Sequence, residues 1–126
     1  MKYLRFLLFP FSFIYYLITS IRNFLYDNQI LKSYSFSIPI ITVGNLSVGG
    51  TGKTPQIEYL IALLKDSYKT AVLSRGYKRK SSGFLLINKD NTYVDSGDEP
   101  MQYFKKFSNI SVAVDEKRAR GIQNLL

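Results

Sequence analysis

Cysteine and histidine are both absent from this chain of 126 residues. Their absence excludes disulfide scaffolds, zinc fingers, thiol nucleophiles and any histidine-based triad within these residues. A reducing compartment is compatible with it. Acidic residues are scarce: 9 Asp+Glu stand against 17 Lys+Arg, a net charge of +8. That balance suggests an anionic partner: nucleic acid, phospholipid or a phosphorylated substrate. There is no internal repeat and no low-complexity tract. What remains is 46% hydrophobic, 21% charged and 15% aromatic, a foldable composition that excludes general disorder. The length suits one small domain and not two ordinary ones.

The N-terminal stretch has its own character. Residues 3–26 are rich in Phe and Tyr, carry only Arg5 and Arg22 as basic residues, and hold no acid. Leu4 to Ile21 approaches the ~20 apolar residues that a transmembrane helix needs. Arg5, Pro10, Ser12, Thr19 and Ser20 weaken that reading, and Pro10 should kink or restart the helix. A secretory signal would need a small-residue cleavage site, which is missing. A helix lying in the membrane interface, tyrosines and basic residues at the headgroups, fits better. A core helix packed on the rest of the chain is the plainer alternative.

Residues 27–37 read as a polar connection. Ile38-Pro39-Ile40-Ile41-Thr42-Val43 is a β-branched run ending at Gly44-Asn45, the pattern of a buried strand. Past a glycine-rich loop, Ile57, Leu60, Ile61 and Leu64 recur at i, i+3, i+4 and i+7, which predicts one buried helix face. Thr70 to Leu73 predicts a second strand. A basic loop, 74–83, follows it. Phe84–Ile87 and Thr92–Val94 flank Asn88-Lys89-Asp90-Asn91, the pattern of a hairpin. A short helix is expected over 100–107, a strand over 110–114 and a helix over 116–126. The order predicts an α/β fold: a P-loop NTPase-like parallel sheet flanked by helices, preceded by a membrane-associated helix. The expected division is 1–26 (apolar helix), 27–37 (linker) and 38–126 (P-loop domain). The last helix stops without a cap, so the domain is expected to be incomplete.

Between the first predicted strand and helix lies Ser47-Val48-Gly49-Gly50-Thr51-Gly52-Lys53-Thr54. It matches the phosphate-binding pattern G-x-x-x-x-G-K-[ST], with Ser47 in place of the first glycine. Gly49, Gly50 and Gly52 permit positive φ and close approach of backbone to phosphate. Successive N–H groups at a helix N-terminus form an anion nest. Lys53 can reach the β- and γ-phosphates of ATP, and the Thr54 hydroxyl can ligate Mg²⁺. Pro55 fits the first helical turn. A glycine-rich turn that binds nothing is the plain alternative. Val48 stands where dimerising partition-type ATPases carry lysine, so that class loses ground.

Three further clusters stand out. In Gly97-Asp98-Glu99-Pro100, Asp98 can cap a helix or act as a carboxylate base on a hydroxyl. Ser74-Arg75-Gly76-Tyr77-Lys78-Arg79-Lys80 follows a predicted strand, at the end where α/β sheets bind ligands. Its cations suit phosphate or anionic headgroups, or form a solvated loop; Arg75 lies nearest the strand. Asp115-Glu116-Lys117-Arg118 follows the next strand, where Arg118 can face the same crevice or begin an ordinary exposed helix.

Together, PIITVGNLSVGGTGKTP (39–55), LSRGYKRKSSGF (73–84), SGDEPMQYFKKF (96–107) and VAVDEKRARGI (112–122) resemble the tetraacyldisaccharide 4′-kinase family, the lipid A 4′-kinases of Gram-negative bacteria. The likeness covers nearly the whole chain. It implies ATP-dependent phosphorylation of the 4′-hydroxyl of a tetraacyldisaccharide 1-phosphate at the cytoplasmic face of the inner membrane, with the lipid A precursor and the membrane surface as partners. By resemblance, Lys53 stabilises the transferring phosphoryl group, Thr54 holds Mg²⁺ and Asp98 is the catalytic base. Glu99, a second candidate metal ligand, and Arg75, Tyr77 and Arg118 match active-site positions that assist metal, phosphate or substrate placement. Lys78 departs from the glycine common after the family's SRGY. Members are longer, with a second lobe carrying further acidic residues and a histidine, so the chain is expected to be an N-terminal portion, nearly inactive alone. Another membrane-associated P-loop NTPase with a different anionic substrate, or a non-catalytic nucleotide-binding remnant, are the alternatives. No helix-turn-helix, stacking-aromatic sheet or basic tail speaks for nucleic acid.

Overall fold

The computed structural model of the chain describes residues 9–44 and 52–126. The loop positions Asn45 to Thr51, and with them Ser47, Val48, Gly49, Gly50 and Thr51, lie outside the described residues. The chain divides into two units, Met1–Pro39 and Ile40–Leu126.

The first unit contains helix α1 (Phe9–Asp27). Pro10 falls in its first turn, where a missing N–H costs little. Thr19 folds its hydroxyl back onto the carbonyls of Tyr15 and Tyr16, both at 2.9 Å. The Asn28 amide closes the other end on the Phe24 carbonyl at 2.8 Å. None of the α1 residues is buried, and its aromatics stay exposed on every side of the helix. Among the described residues, no helix is long and apolar enough to cross a membrane.

The second unit is a small α/β layer. Its sheet runs β1 (Thr70–Ser74), β3 (Ile110–Val114), β2 (Leu85–Leu86), in that spatial order. β1 pairs parallel with β3 from Thr70↔Ile110 to Ser74↔Val114. β2 pairs antiparallel with β3, so the sheet is mixed where an all-parallel one was expected. Among the described residues, four helices accompany it: α2 (Lys53–Leu64), α3 (Tyr93–Ser96), α4 (Asp98–Lys106) and α5 (Arg118–Leu125). Flanked on both edges, β3 is the centre of the core. Val112, Ala113 and Val114 are fully buried with Ile61, Ile87, Met101 and Tyr103. The apolar stripe predicted for α2 faces this core through Ile61, with Ile57 packed against it.

Two expected strands do not form. Ile38 to Val43 makes no ladder, and Ile38, Ile40 and Ile41 are exposed. Strand propensity expresses itself only against a neighbour, and the run pairs with none of the three strands. Thr92–Val94 opens α3 instead of closing a hairpin. Asp95, three residues along, accepts hydrogen bonds from the Thr92 backbone N–H and hydroxyl, both at 2.8 Å. That reciprocal cap favours a helical turn over a second strand. The Asn88–Asn91 turn does form, closed by the Asn88 N–H on the Asn91 side chain at 2.8 Å.

Candidate functional site

Two helix starts meet in the second unit. α2 begins after Gly52, which holds the left-handed conformation at φ 74°. Lys53 is its first residue and Thr54 its second. α4 begins with Asp98 and Glu99. The Thr54 hydroxyl donates to Glu99 Oε1 at 2.8 Å. Farther along, Glu58 accepts from Gln102 at 2.8 Å and from Lys106 at 2.6 Å. These links ascend both helices together. The helices therefore run in the same direction and start at the same end. Lys53 and Asp98, each one residue from the Thr54–Glu99 bond, share that end. Lys106 and Gln102 hold the Glu58 carboxyl below its usual range.

The basic loop after β1 reaches the same place. Gly97 adopts φ 89°, ψ 162°, a conformation essentially restricted to glycine. A Cβ there would lie 3.0 Å from the Tyr77 carbonyl oxygen and 3.4 Å from the Gly76 carbonyl carbon. The loop of Gly76 and Tyr77 thus passes directly over the residue preceding Asp98. Arg75 leaves the carboxyl end of β1 exposed to solvent, and Tyr77 is 81% exposed. Arg118 is the exposed first residue of α5, beyond the carboxyl end of β3. Among the described residues, the Arg75 and Arg118 side chains form no ion pair.

Other charges in these clusters are used internally. Arg79, in the basic loop, is not presented to solvent: its side chain is 4% exposed. It donates to the Gly83 carbonyl at 2.7 Å and pairs with Glu116. Glu116 also accepts the Gly83 N–H. Asp115 is fully buried, not the first residue of an exposed helix start. Arg120 grips it twice, through Nε at 2.9 Å and Nη2 at 2.7 Å. That pairing holds the Asp115 carboxyl below its ordinary range. These contacts fasten the loops after β1 and β3 together and leave Arg75 and Arg118 outward.

Sequence reasoning missed Tyr103. Its buried hydroxyl donates to Glu99 Oε1 at 2.7 Å, beside Thr54. Burial, then the neighbouring Glu99, push the phenol up, so it remains a protonated donor. The signal available was its place four residues after Glu99 on one predicted helix, the spacing that brings side chains together.

Oxygen donors at a helix N-terminus suit a magnesium–phosphate ligand. Mg²⁺ takes one or two protein oxygens and completes its shell with phosphates and water. Thr54 gives its proton to Glu99, leaving its lone pairs for a cation. Among the described residues no group of three carboxylate, histidine or cysteine ligands occurs. The donor set therefore suits a cation that arrives with a nucleotide, not a dedicated cage.

The sequence model of the tetraacyldisaccharide-1-P 4′-kinase family matches residues 4–126. A tetraacyldisaccharide 4′-kinase from Flavobacterium psychrophilum is 63% identical over the whole chain. One from Flavobacterium johnsoniae is 61% identical over the same span. The chain covers 37% of the length of each. LpxK from Aquifex aeolicus, crystallised in complex with ATP, superposes with a TM-score of 0.76 at 44% identity. That match covers 98% of this chain and 40% of the other. The chain belongs to the tetraacyldisaccharide-1-P 4′-kinase family.

Proposed function

We propose that this chain supplies the nucleotide-binding and hydroxyl-activating residues of an ATP-dependent kinase. The acceptor is the 4′-hydroxyl of a tetraacyldisaccharide 1-phosphate, a lipid A precursor. The single observation that carries the reading is the Thr54–Glu99 hydrogen bond, with Lys53 and Asp98 as the adjacent residues. On its sequence pattern, the run from Ser47 through Val48, Gly49, Gly50, Thr51 and Gly52 supplies the amides for the phosphates. Lys53 offsets charge on the γ-phosphoryl group. Asp98 takes the proton from the sugar hydroxyl, whose oxygen bonds to the γ-phosphorus as the bond to ADP breaks. Thr54, with Glu99 beside it, would hold Mg²⁺, whose chemistry is to bridge phosphate oxygens and offset the charge that develops there. Arg75, Tyr77 and Arg118 ring the same end and orient the anionic groups of nucleotide and lipid.

The acceptor is a lipid, and α1 suits its location. An aromatic helix with no buried residue, and no acid before its last residue Asp27, lies in a membrane interface. We place the protein at the cytoplasmic face of the inner membrane. Co-flotation with anionic phospholipid vesicles is expected and should be lost on removal of residues 1–26. Flotation undiminished by that removal would refute the assignment to α1.

The function is tested by transfer of labelled γ-phosphate to the disaccharide lipid, in the full-length protein carrying these residues. Lys53→Ala should abolish nucleotide binding. Asp98→Asn should leave nucleotide binding intact and slow transfer by about 10²- to 10⁴-fold, the usual contribution of a general base. Nucleotide hydrolysis with no phosphate reaching the lipid would favour a P-loop NTPase acting on another anionic substrate. Nucleotide binding with neither reaction would favour a non-catalytic module.

A further inference from the structure

A buried phenol needs an acceptor for its hydroxyl. The Tyr103 side chain is 1% exposed and packs in the core with Ile61, Met101 and Val112. Its hydroxyl leaves that core at one point, donating to Glu99 Oε1 at 2.7 Å. The Thr54 hydroxyl donates to the same oxygen at 2.8 Å. Glu99 Oε1 thus joins a rigid core residue to a residue of the phosphate-binding helix.

We propose that Tyr103 is a positioning residue for the metal–phosphate end of the site, acting through Glu99 on the Thr54 hydroxyl. The inference rests on the nucleotide-binding reading above. A threonine hydroxyl has one proton and two lone pairs. With its proton committed to Glu99, both lone pairs face away from the carboxylate and are free for a divalent cation. That arrangement holds only while Glu99 keeps its rotamer. Thr54 cannot fix it alone, because a single hydrogen bond lets the carboxylate swing. The Tyr103 hydroxyl supplies the second bond, anchored by the core. Partners one step removed from a metal commonly set its affinity in this way.

The test is binding of a fluorescent non-hydrolysable ATP analogue to the full chain, titrated with and without Mg²⁺. Tyr103→Phe keeps the ring in the core and removes only the hydroxyl. The Mg²⁺ concentration giving half-maximal binding should rise roughly tenfold, within the usual range for such partners, while Mg²⁺-free affinity stays unchanged. Tyr103→Met, which also fills the core but lacks the hydroxyl, should produce the same Mg²⁺-specific rise if Tyr103→Phe fails to fold. In a Thr54→Ala background, Tyr103→Phe should add nothing, because both act along one path. An unaltered Mg²⁺ dependence in Tyr103→Phe, an equal loss with and without Mg²⁺, or additive effects with Thr54→Ala would each overturn the inference alone. A wild-type chain that binds no nucleotide under either condition overturns the nucleotide reading itself, and this inference with it.

Discussion

Substituting Gly97 by alanine perturbs the junction where the Asp98 helix passes beneath the basic loop. Two costs add there. The backbone sits at φ 89°, ψ 162°, a region in which a side-chain-bearing residue is strained by about 1–3 kcal/mol. The new Cβ would also stand 3.0 Å from the Tyr77 carbonyl oxygen and 3.4 Å from the Gly76 carbonyl carbon. Both are backbone atoms, which cannot rotate aside as a side-chain end can. Overpacking of this kind adds ~1 kcal/mol or more. The expected loss is therefore about 2–4 kcal/mol, a large share of a small domain's stability. Urea unfolding followed by circular dichroism measures it, with Asp98→Ala as the control. Asp98 is exposed, so that variant should stay within about 0.5 kcal/mol of wild type. If Gly97→Ala also stays within about 0.5 kcal/mol, the close approach of the two loops is wrong. The geometry that sets Asp98 beside the carboxyl end of β1 would fall with it.

Neighbouring lysine and arginine in the basic loop should separate cleanly. Arg79→Ala removes a nearly buried guanidinium bonded to Gly83 and Glu116 and should cost about 2–3 kcal/mol in a urea melt; a neutral result would return Arg79 to the solvated loop. Lys78 holds a positive φ of 61°. Lys78→Gly relieves ~1–2 kcal/mol of left-handed strain against ~0.5–1 kcal/mol of added chain entropy, so its melting midpoint should hold or rise, and a clear fall would refute the conformation. Acid should destabilise the fold. The Asp115 carboxyl is lowered by Arg120, and those of Glu116, Asp95 and Glu58 are lowered too. Lowered carboxylates stabilise the fold fully above their unfolded values, near pH ~4, and lose that contribution as pH falls through the folded values. Urea midpoints at pH 7, 4 and 3 should therefore fall in that order, with a shallower fall in Asp115→Asn.

The elements legible in the sequence were those whose pattern is self-sufficient. The i, i+3, i+4, i+7 stripe of α2 needs only one apolar surface, and β3 supplies it. The runs at 70–73 and 110–114 became the parallel pair at the centre of the unit. The failures have a common cause. Ile38–Val43 has strand composition as strong as either, yet composition cannot say whether a neighbour will pair with it. Thr92–Val94 has strand composition as well. The single carboxylate of Asp95 outweighs it by capping a helical turn.

Charge was the hardest property to read, and Arg75, Arg79, Arg118 and Arg120 show why. All four follow the carboxyl ends of parallel strands, where an arginine has two competing uses. It can meet an incoming anion, or it can satisfy a carboxylate that the fold itself buries. Asp115 makes the choice. At 0% exposure its carboxylate requires a cation, since an unpaired buried charge is prohibitive. Arg120, in the first turn of α5, meets that demand. Glu116 then draws in Arg79 across the loop. Arg75 and Arg118 are left outward because the internal acids are already matched. Local sequence lists the cations, but burial of the acids decides which of them remain for a ligand.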